Sequence, residues 1–126
     1  MGLLHKIQIY GDSILKGIEL DYTEKYIVPK ESGWQYLEEE YPLAIVNRAK
    51  FGCTITKGLD QLSKALSKGL TCDAVVLEYG GNDCDYHWPD ISANPHGEHL
   101  PNTPLPLFIS SCREMIHLLK KNGILP

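Results

Sequence analysis

No apolar run in this 126-residue chain approaches the length needed to cross a bilayer, which as a helix takes about 20 residues. Nor is there any run of lysine and arginine with interleaved aromatic residues. The formal net charge is −4 and the pI about 5.7. Nothing here supports a surface that tracks phosphates, and no nucleic-acid partner is expected. The N-terminus, Met1-Gly2-Leu3-Leu4-His5-Lys6-Ile7, lacks the long apolar segment of a secretory leader and runs straight into a strand signal. Residence in the cytoplasm is therefore expected. The four cysteines (Cys53, Cys72, Cys84, Cys112) form no Cys-x-x-Cys pair, and without a secretion signal reduced thiols are expected. His96-x-x-His99 has a spacing that a metal can use, but no cysteine or carboxylate cluster flanks it. Neither a metal nor another cofactor is expected.

What is present suits one domain over residues 1–126, because 43% hydrophobic residues are enough for a core at this length. In the first strand, His5 to Tyr10, Ile7 and Ile9 alternate with Lys6 and Gln8. A short helix follows from Ser13 through Ile14, Leu15 and Ile18. Residues 21–30 are polar, contain Pro29 and read as loop. Ser32 can cap a helix from Gly33 to about Tyr41, with Trp34 and Leu37 facing inward and Pro42 as its stop. Leu43 to Val46 makes the second strand. Thr54 can cap the next helix, in which Ile55, Leu59, Leu62 and Leu66 share one face and Gly69 ends the run. Ala74-Val75-Val76-Leu77 is nearly continuous in apolar residues, as a central parallel strand buried on both faces would be.

Cys84 to Thr103 shows no regular pattern, and a connection of that length in a compact domain is usually functional or disordered. Thr103-Pro104 then starts a last helix with an apolar stripe of Leu105, Phe108, Ile109, Cys112, Met115, Ile116 and Leu119. Lys120 and Lys121 suit its negative end, and Gly123 its C-terminal turn. The alternation of strands and helices predicts an α/β fold with a parallel sheet covered by helices.

Three polar, glycine-bearing clusters stand at the exits of these strands, where α/β proteins gather their active sites. In Tyr10-Gly11-Asp12-Ser13, Gly11 permits a sharp turn, and Ser13 lies at a helix start where its amide favours an anion. A plainer role is open, because Asp12 or Ser13 can simply cap that helix. In Asn47-Arg48-Ala49-Lys50-Phe51-Gly52-Cys53-Thr54, Gly52 leaves room for a carbonyl to reach a backbone N–H. It can equally just relax a strand-to-helix turn. In Gly80-Gly81-Asn82-Asp83, the Asn82 amide can donate to an oxyanion, and the same four residues also make a good turn. Asp83 suits tying down the loop better than chemistry.

Taken together and in this order, the three clusters resemble the first three sequence blocks of the SGNH (GDSL-type) hydrolases. The resemblance implies a flavodoxin-like sheet of about five parallel strands with helices on both faces, of which three strands are present here. It implies a serine-dependent esterase or lipase acting on a small-molecule ester. Ser13 would be the nucleophile, and Gly52 N–H, Ser13 N–H and the Asn82 side chain would hold the oxyanion. The segment Asp85, Tyr86, His87 and Trp88, directly after the third cluster, would wall the substrate.

One block of the family is missing, since no Asp-x-x-His occurs between Met1 and Pro126. Of the five histidines, His5 lies at the wrong end of its strand and His117 on the last helix. His87, His96 and His99 share the long loop after Asn82 and can serve as substitutes. The leading expectation is that the general base lies outside this sequence, supplied by a companion polypeptide or a further segment. The domain then covers roughly two-thirds of the family's length, and this chain alone is inactive. Gly123-Ile124-Leu125-Pro126 reads as the lead-in to a fourth strand, so an apolar strand edge is left open and the isolated chain is expected to be sticky. The rival reading is a truncated or degenerate member that binds a ligand without turnover. A phosphate-binding flavodoxin-like protein fits less well, because Asp12 puts a carboxylate where phosphate would sit.

Overall fold

A computed structural model describes residues 3–126. Met1 and Gly2, part of the stretch read above for a leader, lie outside the described residues. The chain runs β1 (His5–Gly11), α1 (Ser13–Lys16), β2 (Glu19–Leu20), β3 (Tyr26–Ile27), α2 (Gly33–Glu40) and β4 (Leu43–Asn47). It continues as α3 (Ile55–Ser67), β5 (Ala74–Glu78), α4 (Trp88–Ala93) and α5 (Leu105–Lys121). β4, β1 and β5 form a three-stranded parallel sheet in that order, with helices around it. This is the expected α/β class.

The apolar sides of α3 and α5 pack on the sheet and on each other. Tyr10, Ile55, Leu62, Val75, Met115, Leu119 and Ile124 are the buried cluster between them. β1, not β5, is the middle strand. Of the β5 residues only Val75 is fully buried, although the apolar run predicted burial on both faces. The outer edge of β5 meets only the start of another parallel strand. Ala74 bridges to Leu125, with Val75 N–H donating to Leu125 O at 2.9 Å and Leu125 N–H to Asp73 O at 3.1 Å. The lead-in read from residues 123–126 is thus in place beside β5.

Four local expectations change. α1 stops at Lys16 rather than passing Ile18, because the chain turns at Gly17, whose N–H returns to Ile14 O. The supposed loop at 21–30 carries part of a small antiparallel hairpin, β2–β3, which is closed by Asp21. The Asp21 carboxylate accepts from Thr23 N–H at 2.7 Å and Lys25 N–H at 3.0 Å. Two-residue strands show no alternation, so such a hairpin leaves no periodic signal. The long connection from Cys84 to Thr103 contains the short α4, with Pro89 in its first turn, where a missing N–H costs nothing. On α2, Ser32 caps as expected, accepting from Gln35 N–H. Trp34 is half-buried with its indole N–H on Leu15 O at 3.1 Å, whereas Leu37 is exposed.

Candidate active site

β1 delivers the first cluster to the C-terminal edge of the sheet. Gly11 pairs in register with Glu78 of β5, and a Cβ at Gly11 would stand 2.8 Å from Glu78 O and 3.1 Å from Leu15. Only glycine allows this approach. The chain then enters α1 with Asp12 as its cap. Asp12 is buried, and its Oδ1 accepts Ile14 N–H at 2.9 Å. Capping therefore falls to Asp12 and leaves Ser13 free for another role. Ser13 is half-buried as the first residue of the helix, and its hydroxyl has no protein partner among the described residues. α1 is a single turn, so its dipole adds less at Ser13 than a full helix would.

The second cluster is tied to the first by Lys50 N–H, which donates to Gly11 O at 2.9 Å, and by Arg48 N–H on Ile9 O at 2.7 Å. Asn47 reaches across to α1, donating to Leu15 O at 3.1 Å while its own Oδ1 takes Ala49 N–H. Gly52 has φ +69°, a left-handed turn that favours glycine. Its N–H donates to no protein acceptor among the described residues, and Ser13 N–H is likewise unclaimed. Two backbone donors are therefore available at adjoining turns.

The third cluster closes the triangle. The Asn82 side chain donates to Cys53 O at 3.2 Å, and Asn102 in turn holds Asn82 O at 2.9 Å. A primary amide has two N–H donors, so one remains after the bond to Cys53. Asp83 is buried and accepts Ile55 N–H at 2.9 and 3.1 Å and the Thr103 hydroxyl at 2.6 Å. The expected cap, Thr54, accepts no backbone N–H of α3; its hydroxyl lies 3.2 Å from that of Thr56 instead. Asp83, 28 positions after Ile55, does that work. Sequence reading placed Asp83 as a loop tie, and the loop it ties includes the start of α3.

The sequence reading missed Glu78. Its carboxyl lies against that of Asp12, and burial pushes it up to about 6, helped by the hydrogen bond and charge of Asp12 and opposed by the amides of Leu15 and Asp12. As two bare carboxylates, the pair would leave Glu78 Oε1 buried with no donor. The raised Glu78 value favours its protonated form, which removes one of the two facing charges. The only signal in the sequence is a glutamate closing an otherwise apolar strand.

Of the four residues expected to wall the substrate, the structure brings only Tyr86 to the cavity next to Asn82. That cavity, about 270 Å³, is bounded by Gly80, Cys84, Tyr86, Pro101, Leu105 and Phe108 among others. Trp88 is 61% exposed, and its indole N–H bonds Asp85 at 2.8 Å. His87 Nδ1 lies 2.9 Å from Asp90 Oδ2, within its own loop. His99 Nε2 lies 2.6 Å from Asn94 O. These two loop histidines are engaged locally, and no histidine hydrogen-bonds Ser13 among the described residues. His117 is exposed on α5, and His5 lies near Asp73 at the opposite end of β1. No group of three or more metal-binding side chains is found among the described residues. All four cysteines are free thiols. No helix among the described residues is long and apolar enough to cross a membrane.

No protein-family model and no curated protein sequence matches this chain. Solved structures do. AlinE4, an SGNH-hydrolase family esterase, superposes with a TM-score of 0.64 at 21% identity, over 98% of this chain and 57% of that one. TesA gives 0.63 at 22% identity, over 94% and 56%. EstA, a psychrotrophic esterase from Pseudoalteromonas sp. in a structure inhibited by monoethylphosphonate, gives 0.61 at 18% identity, over 95% and 56%. The chain thus spans a little over half the length of these proteins. Over the part it spans, this chain has the fold of the SGNH-hydrolase esterases.

Proposed function

We propose that this chain carries the nucleophile and oxyanion portion of a serine-dependent ester hydrolase, within one domain that its 126 residues only partly make up. The observation that supports it best is the meeting of three strand-exit clusters with Ser13 N–H and Gly52 N–H both unclaimed. In this reading Ser13 Oγ attacks the ester carbonyl carbon as its proton passes to a histidine base. The carbonyl oxygen becomes an oxyanion held by Ser13 N–H, Gly52 N–H and the Asn82 amide. Collapse breaks the C–O bond, and the alcohol leaves with the histidine's proton. Water then releases the acyl group from Ser13 by the same steps. Each oxyanion donor of this kind contributes about 3–4 kcal/mol to the transition state.

The base is the part this chain does not supply. Ser13 has no hydrogen-bonded histidine, and a serine hydroxyl without a base is a poor nucleophile. An Asp-x-x-His on a companion polypeptide or a further segment would complete the site, and β5, with its outer edge already bridged at Leu125, is where such a segment would join the sheet. A lipase-type substrate, a substrate wall of Asp85, Tyr86, His87 and Trp88, and a cytoplasmic setting belong to the same reading.

The test is covalent labelling with a fluorophosphonate, read by intact mass. Rapid labelling of the natively purified protein, lost in Ser13→Ala, supports the hydrolase. Stoichiometric ester binding with no adduct favours the rival reading, a member of the fold that binds without turnover.

A further inference from the structure

A broad groove lies beyond the Gly52 turn, between α3 and the residues that follow β4. Its volume is about 950 Å³, at the upper end of the range of small-molecule sites. Its charge is unlike that of the rest of the chain. Arg48, Lys50, Lys57, Lys64 and Lys68 line it, against one carboxylate, Asp60. Asp60 is already paired with Lys64 at 2.7 Å. The other four cations have no carboxylate within 4.0 Å among the described residues. Four of five cations in one groove thus stand without a carboxylate partner, on a chain whose net charge is −4.

The arrangement is linear. Lys57, Lys64 and Lys68 are seven and eleven residues apart, which puts them on one face of α3 and its C-terminal cap along about 16 Å. Arg48 and Lys50 continue the row past β4, where Gln61 pins Arg48 O at 3.0 Å. The floor also presents a donor. Gln8 accepts from the Tyr10 hydroxyl at 3.3 Å, while its own NH₂ meets no acceptor among the described residues. Phe51, 61% exposed and tilted against Tyr26 at 5.4 Å, stands at the Gly52 end.

We propose that this groove binds a small molecule bearing two or more linked phosphate groups, laid along α3 toward Gly52. Lysine is a flexible point charge suited to phosphate, and four of the five cations are lysines. A row of charges fits a chain of anions better than one compact ion. Long polyanions are disfavoured, because the acidic remainder of the molecule repels them. The inference does not rest on the hydrolase reading.

The experiment is titration of the natively purified protein with sodium tripolyphosphate at low salt, followed by two-dimensional amide and side-chain NMR. The expected result is saturable binding, with shifts at Gln8, Lys57 and Lys68 and weakening as salt is added. Affinity should fall about tenfold in Lys57→Gln/Lys68→Gln and stay unchanged in Lys120→Gln/Lys121→Gln, on the last turn of α5. Dispersed spectra of both variants show that each is folded. Adenosine triphosphate binding more tightly than tripolyphosphate identifies a nucleotide, and equal binding identifies the phosphate chain alone. Absence of saturation at millimolar tripolyphosphate overturns the proposal. So does equal loss in both double variants, or tighter binding of hexaglutamate. Because only binding is read, failure here leaves the hydrolase reading standing.

Discussion

Asp83 receives the Ile55 N–H on both carboxylate oxygens, at 2.9 and 3.1 Å, so the third strand-exit cluster caps the helix that follows the second. The bond is buried and also takes the Thr103 hydroxyl. One carboxylate thus registers Gly52, Asn82 and the start of α5 against each other.

Replacing Asp83 by alanine leaves a buried N–H and a buried hydroxyl without an acceptor. The expected cost is about 1–3 kcal/mol in urea unfolding. Asparagine, which keeps one acceptor, should cost less. A change within error for Asp83→Ala would mean that the cap contributes little.

Gly52 sits at φ +69° with open space where a Cβ would project. Gly52→Ala should therefore cost only backbone strain, about 1 kcal/mol, with no steric clash. Alanine keeps the N–H, but its Cβ stands in that open space. If the N–H holds the oxyanion, the incoming oxygen approaches through the same space, and the substitution should slow phosphonylation of Ser13 far more than it lowers stability. Labelling at the wild-type rate would remove Gly52 from the site.

Glu78 is held up to about 6 from an ordinary 4.5, first by burial and then by Asp12. A carboxyl with a raised folded-state value binds more protons folded than unfolded in that window, so stability falls as pH rises from about 4.5 to 6. Tm measured across this range should decline in the wild type. In Glu78→Gln, which does not titrate, that decline should disappear; an unchanged slope would place the titration elsewhere.

The Tyr79 hydroxyl is buried without a partner and lies against Gly58 of α3, where a Cβ would collide with the ring. Burial pushes the phenol well above its usual range. Tyr79→Phe removes an unsatisfied group and should be neutral or stabilising. Gly58→Ala should destabilise by about 1–3 kcal/mol from overpacking. Tyr79→Phe/Gly58→Ala should recover little of that loss, because ring carbons Cζ and Cε1 still collide with the added Cβ.

Leu105 (66% exposed) and Ile109 are exposed apolar residues of α5, and the outer edge of β5 is paired only at the Ala74–Leu125 bridge. Exposed apolar surface and an open strand edge both invite association. Sedimentation velocity on the 126-residue polypeptide should show concentration-dependent oligomers, reduced by Leu105→Lys/Ile109→Lys. A monodisperse monomer that melts cooperatively would contradict this.

The elements most legible in the sequence were those set by local patterning. The stripes of α3 and α5, the Ser32 cap and the exits of β1, β4 and β5 follow from residue period and turn chemistry, which act within a few positions. The three clusters were legible for the same reason, since each is a short turn after an apolar run. Other features were too short for a pattern, were open between neighbouring residues, or depended on residues far apart in the chain. The hairpin around Asp21 was too short for any period, and Asp12 rather than Ser13 took the cap of α1. Asp83 displaced Thr54 as the cap of α3, and Glu78 became a partner of Asp12 only because β1 and β5 are in register. Likewise the row of lysines lines a groove only because α3 lies beside the residues that follow β4. Sequence by itself determined which residue types stand at each strand exit. Tertiary structure decided which of them hydrogen-bond each other and which donors stay free, because a buried polar group takes whatever partner the packing brings within reach.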